Sequence, residues 1–102
     1  PALLDNATEI ERILSESAEK GNVTVEGKLS HNFDPQGVSV ILLLSESHIS
    51  IHTWPEINFA AIDIFTCGGK PELITKNIIR EFKPKVSKVD NLDRGIIYNN
   101  DF

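Results

Sequence analysis

The sequence predicts an α+β fold: a two-layer sandwich in which two helices cover one face of a largely antiparallel sheet. Three observations carry this expectation. Apolar residues recur at helical spacing in two stretches, residues 6–20 and the segment opened by Pro71. Alternating or β-branched runs fill the region between them. The resulting order, helix, four strands, helix, strand, groups the strands together instead of interleaving them with helices. With 102 residues and no linker, repeat or low-complexity stretch, the chain reads as a single domain over 1–102.

Each element has its own signal. In residues 6–20, Ala7, Ile10, Leu14 and Ala18 form a stripe with Ile13 beside it; Asp5 or Asn6 can cap the start, with Thr8 and Glu11 as a capping-box alternative. Gly21-Asn22 supplies the stop. From Val23 to Leu29, Val23, Val25, Gly27 and Leu29 are expected on one side of a half-exposed strand. Phe33 to Gly37, with Pro35 inside, is a turn. Val38 to Leu44 is β-branched and leucine-rich and predicts a strand covered on both faces. Ile49 to Thr53 is the next strand, stopped by Pro55. In Phe59 to Cys67, Ala60, Ile62 and Ile64 face one way and Phe59, Ala61, Asp63, Phe65 and Cys67 the other. Gly68-Gly69 breaks the chain, Pro71 opens a helix lined by Ile74, Ile78 and Phe82, and Lys83-Pro84 ends it. Val86 to Val89 predicts a short strand, and Ile96-Ile97 an apolar anchor in a polar tail.

Two helices can cover only one face of the sheet. The second face, carrying Phe59, Phe65 and half of strand 38–44, then needs another cover, and a second copy of the sheet is the economical one. The expectation is a sheet-to-sheet homodimer.

Bulk composition excludes several classes. Net charge is −5 with both signs interspersed, so no basic patch suits a nucleic acid. No apolar run approaches the roughly 20 residues that span a membrane, and the first residues lack a signal-peptide pattern. The single cysteine, Cys67, forms no internal disulfide, which suits a reducing cytoplasm. The chain begins with Pro1 instead of Met, so a longer gene product is expected.

The chemistry-rich stretch is Ser45-Glu46-Ser47-His48-Ile49-Ser50-Ile51-His52-Thr53-Trp54-Pro55-Glu56. Three chemistries suit such residues. A metal site from His48, His52 and a glutamate needs helical spacing, whereas a strand puts the two imidazoles roughly 13 Å apart. Serine hydrolysis by Ser47 or Ser45 lacks a nucleophile elbow. Backbone self-cleavage at Glu46–Ser47 needs a strained turn that presents the Ser47 hydroxyl to the preceding carbonyl, a base for the serine α-proton and donors around the oxyanion. His52 and Ser39 are plausible suppliers. Spacing alone does not choose among the three.

The same stretch resembles the cleavage-site signature of the prokaryotic S-adenosylmethionine decarboxylase family. So do Phe59-Ala60-Ala61-Ile62-Asp63, Phe65-Thr66-Cys67-Gly68 and Arg94-Gly95-Ile96, and the similarity spans nearly the whole chain. The resemblance implies a proenzyme that cuts at Glu46–Ser47 into chains 1–46 and 47–102, with Ser47 becoming a pyruvoyl group. No metal and no pyridoxal phosphate would be required. His52 aligns with the histidine that assists elimination and Ser39 with its helper hydroxyl. Cys67 aligns with the proton donor to the substrate α-carbon. Glu56 matches a residue on the ribose hydroxyls, Phe33 the aromatic that stacks on adenine, and His31 a frequent histidine of unclear role. The implied reaction is attack of the amine of S-adenosylmethionine on the pyruvoyl ketone, loss of carbon dioxide and release of an aminopropyl donor for spermidine synthesis. The sequence departs from the family in lacking an N-terminal strand with a Gly-x-His pattern and in carrying Val40 where glycine is frequent. Arginine decarboxylation on the same scaffold, or a non-cleaving partner subunit, are the alternative readings. Ser47 and His52 are an odd number of residues apart, so a turn or bulge near residue 47 is expected to re-aim one of them.

Overall fold

The structure, a computed structural model, describes residues 2–93. The elements are α1 (Ala7–Lys20), β1 (Val25–Asn32), β2 (Val38–Leu44), β3 (His48–Trp54), β4 (Phe59–Phe65) and α2 (Pro71–Phe82), with 3-10 turns at Ala2–Asp5 and Pro55–Ile57. The strands form one meander in the order β1-β2-β3-β4, every neighbour antiparallel. The α+β expectation with an antiparallel sheet and two helices is met.

Local chemistry explains the element ends. The Asn6 side chain caps α1 by accepting from the Glu9 amide at 3.0 Å. At the other end the Gly21 amide donates to Ser17 and Ala18 carbonyls. A side chain at Gly21 would meet Ile74 Cγ1 at 2.4 Å, so its missing Cβ lets α2 pack against the end of α1. Pro71 starts α2, and Lys83 ends it at φ 50°.

Both helices lie on the same face of the sheet. Ile10, Leu14 and Ala18 of α1 and Ile74 and Ile78 of α2 join Val38, Val40, Leu42 and Leu44 of β2 and Ile49 and Ile51 of β3 in one buried cluster. Thr53, also buried, ties three segments together: its hydroxyl donates to the Leu4 carbonyl at 2.6 Å and accepts from the Val38 amide at 2.8 Å. Ser17 and Asn77 are hydrogen-bonded across the helix pair at 2.8 Å, which satisfies two polar groups inside the core.

Of three expectations about the strands, the first and the third are corrected. The first concerns β1, whose alternation is interrupted by a register shift between Val25 and Gly27. Val25 pairs with Leu44 and packs on the core, whereas Leu29 pairs with Ile41 on the opposite face and is 71% exposed. The second concerns β2, whose helix face is buried within the single chain while Ile41 and Leu43 of the other face are 44% and 57% exposed there, the face expected to meet a second copy. The third concerns Val86 to Val89, which forms no strand: no ladder pairs it and Val86 is 86% exposed. The expected anchor at Ile96-Ile97 and the Arg94-Gly95-Ile96 element lie outside the described residues. Among the described residues, no helix is long and apolar enough to cross a membrane.

Candidate active site

At one end of the sheet, β2 turns into β3. The Leu44 amide donates to the Ser47 carbonyl at 2.9 Å, leaving Ser45 and Glu46 at the tip of a tight hairpin and Ser47 half-buried at its base. The Ser45 hydroxyl donates to Glu26 Oε2 at 3.0 Å, fixing the tip against β1. β4 ends beside this hairpin, because His48 pairs with Phe65, and Cys67 follows two residues later, exposed. Gly68 and Gly69 turn the chain away at φ 123° and 69°; a side chain at Gly69 would meet Val23 Cγ1 at 2.6 Å. Ser47, Glu46 and Cys67 line one cavity of about 290 Å³, together with Asn22 to Thr24 and the two glycines.

The opposite end holds a second group. Ser39 and His52 are cross-strand partners, and Ser39 Oγ and His52 Nδ1 share a hydrogen bond of 2.6 Å. Phe33 stands half-exposed at the turn after β1, its amide donating to the Gly37 carbonyl at 2.8 Å. Glu56 sits in the 3-10 turn after β3. Phe33, Ser39, His52 and Glu56 line a second cavity, also about 290 Å³, with Gln36 and Trp54. His31 lies edge-on to Phe33, with ring centroids 4.6 Å apart.

The structure thus unites Ser47 with Cys67, and Ser39 and His52 with Phe33 and Glu56, but it does not unite the two groups within one chain. From His48 to His52, β3 keeps an unbroken register with both neighbours. His52 is therefore about 16 Å along the strand from Ser47 by strand rise. The expected turn is present at residues 45–47, but it leaves Ser47 and its own His52 on different cavities.

Two features were not assigned from the sequence. Trp54 joins the Phe33 cavity and packs on Phe59 at a centroid distance of 5.6 Å; its position inside the motif was the available signal. His48 Nε2 lies 3.0 Å from Asp63 Oδ2. That pair crosses two strands diagonally and has no sequence signature beyond the outward-facing parity of both residues.

Comparison with known proteins places this geometry. A sequence model described as S-adenosylmethionine decarboxylase matches residues 1–95. The S-adenosylmethionine decarboxylase proenzyme of Thermodesulfovibrio yellowstonii is 42% identical over 99 residues, covering 95% of this chain and 73% of that protein. The proenzyme of the same name from Methanococcus maripaludis is 45% identical over 96 residues, covering 92% of this chain and 79% of that protein. The crystal structure of the adenosylmethionine decarboxylase from Aquifex aeolicus superposes with a TM-score of 0.88 at 32% identity, covering 97% of this chain and 83% of that one. Sequence and fold agree over almost every described residue: the chain belongs to the S-adenosylmethionine decarboxylase family.

Proposed function

We infer that this chain is a proenzyme that cuts itself between Glu46 and Ser47 and then decarboxylates S-adenosylmethionine. The observation that carries the reading is the placement of Ser47 and Cys67 on one cavity at the hairpin end, in a chain of this family. Self-cleavage requires a presented serine, and a tight hairpin with an exposed tip provides one. The residues at the turn fit a pyruvoyl group at position 47. Its amide carbonyl is the one that already accepts from the Leu44 amide, and that donor would hold it after the cut. Such a group supplies an electron-accepting carbonyl for the loss of carbon dioxide.

The chain's own side chains take the remaining roles. The Cys67 thiol holds the proton that returns to the substrate α-carbon. His52, oriented by its bond to Ser39, takes the Ser47 α-proton during maturation. Phe33 and Trp54 offer aromatic faces to an adenine ring and a sulfonium cation. The Glu56 carboxylate accepts from the two ribose hydroxyls. The product donates the aminopropyl group used in spermidine synthesis. The arginine alternative is not favoured: the matched relatives are named for S-adenosylmethionine.

These roles require two copies. Ser47 and His52 lie at opposite ends of one sheet, so a second sheet packed face to face by a two-fold axis sets the His52 end of one chain against the Ser47 end of its partner. The surface for this is present. Leu29, Ile41, Leu43 and Phe59 are between 44% and 71% exposed on the face away from the helices. A homodimer covers them and completes two sites at once.

Intact mass tests the first step. The freshly made chain should pass from one species near 11.3 kDa to two fragments split after residue 46, the larger carrying a carbonyl that a hydrazine traps. Ser47→Ala should stay whole. Carbon dioxide release from S-adenosylmethionine, and not from arginine, tests the second step. A chain that never splits and traps no hydrazine refutes the reading.

A further inference from the structure

We propose that His48, held by Asp63, is a positioning residue that clamps the end of β3 once the Glu46–Ser47 bond is gone. The inference rests on the cleavage reading above and deepens it. Before the cut, residue 47 is tethered on both sides. Afterwards its only covalent tether is the bond to His48, so beyond the Leu44 amide that holds its carbonyl, the placement of the residue-47 group depends on what fixes His48.

Four contacts fix it. The backbone of His48 pairs with Leu43 on β2 and with Phe65 on β4. Its Nε2–H donates to Asp63 Oδ2 at 3.0 Å, since an ionised carboxylate only accepts. Its ring packs on Phe65, with centroids 5.5 Å apart and planes at 41°. Asp63 and Phe65 share one face of β4, and Cys67 follows Phe65 by two residues. One imidazole therefore links the strand end that presents residue 47 to the strand end that presents Cys67. A terminal strand residue frays easily when nothing but ladder bonds hold it. The side-chain clamp opposes this fraying and keeps the distance between the group at 47 and the Cys67 thiol within the narrow range a proton transfer needs.

The His48 and Asp63 side chains are 38% and 49% exposed, so the pair is screened and adds little to global stability. This separates positioning from folding. In cleaved protein, His48→Gln and Asp63→Ala should each speed hydrogen exchange of amides 48–50 by about tenfold or more, with melting within about 3 °C of wild type. They should lower kcat about tenfold to a hundredfold with KM within about threefold, and Asp63→Asn, which keeps an acceptor oxygen, should restore most of both. In an uncut Ser47→Ala background the same substitutions should leave exchange at 48–50 unchanged. Unchanged exchange and kcat in the cleaved variants overturn the clamp. So does equal acceleration in the uncut background, which makes the pair an ordinary strand contact, or loss of cleavage itself, which moves the pair to maturation. A wild-type chain that never splits is seen by mass before any variant is made; it refutes the parent reading and the clamp with it.

Discussion

The two faces of the sheet are built from the same strands and ask different things of them. On the helix face, β2 and β3 present Val38, Val40, Leu42, Leu44, Ile49 and Ile51, each at most 2% exposed. On the other face the same strands present Ser39, Ile41, Leu43, His48, Ser50, His52 and Trp54, partly or largely exposed. The first face is a core, in which chemistry is excluded and volume matters. The second carries every titratable or nucleophilic strand residue of the candidate site, set among apolar side chains that one chain leaves uncovered. The period-2 pleat makes this division possible: adjacent residues such as Leu42 and Leu43 serve opposite ends.

The sharpest way to break this division uses two inactive chains. Ser47→Ala lacks the nucleophile and His52→Ala lacks the base, and each alone should stay whole. Coexpressed, they should form mixed dimers in which the His52→Ala chain, still carrying Ser47, is cut by the His52 of its Ser47→Ala partner. Mass spectrometry would show fragments from that chain only. Failure to cut, in mixed dimers shown to form, would mean that His52 acts within its own chain despite the length of β3.

Stability should divide the faces next. Leu42→Ala opens a cavity beneath both helices and should cost about 2–5 kcal/mol in urea unfolding. Leu43→Ala, one residue along, should cost under about 1 kcal/mol within a chain. Its effect should appear in sedimentation as a weaker dimer. Equal costs at both positions would show that the open face is as tightly packed as the core.

How much of this was legible in the sequence follows the same line. The helix face could be read because Ile10, Leu14, Ala18, Ile74 and Ile78 repeat at helical spacing and nothing in their surroundings overrides it. The fate of β1 could not be, since a register shift at Gly27 leaves no mark in a pattern of alternating residues, yet it moves Leu29 to the other face. Val86 to Val89 has strand-like residues but no ladder partner among the described residues; propensity without a neighbour does not make a strand. The site residues were legible through the twelve-residue signature. Their separation was also available, because five residues along a strand is a length as well as a parity, and the length is what divides the site between two ends. The His48–Asp63 contact was not legible, since diagonal pairing depends on register.

A polar group inside the core should fall between the two faces. Thr53 reaches the Leu4 carbonyl and the Val38 amide from a buried position. Thr53→Val keeps the shape and strands both partners, so it should cost about 1–3 kcal/mol in chemical denaturation. It should also loosen the 3-10 turn at Ala2–Asp5, seen as faster exchange of the Val38 amide. A neutral result would mean that water replaces the hydroxyl there, and that this end of the core is wetter than its burial indicates.

The smallest effect belongs to the outer surface of α1, which neither face of the sheet touches. Arg12 bonds Glu9 and Glu16 on its own helix, with Nε 3.1 Å from Glu9 Oε1, and reaches Glu81 of α2 at 3.7 Å. The hydrogen bond from Arg12 holds the Glu9 carboxyl below the usual carboxylate range. A folded-state value below the unfolded one gives stability that is present above the unfolded value and lost as pH falls through the folded one. Because the Glu9 side chain is 40% exposed and open to solvent, that contribution is slight and salt should erode it. Carbon-detected titration should find Glu9 depressed in wild type and returned to the ordinary range in Arg12→Ala, with cleavage at residue 47 proceeding at the same rate in both. A Glu9 that titrates normally in wild type would show that the guanidinium is spread among its three carboxylates without favouring any, and a slowed cleavage would tie the helix surface to the distant hairpin through a coupling that the packing of this fold gives no reason to expect.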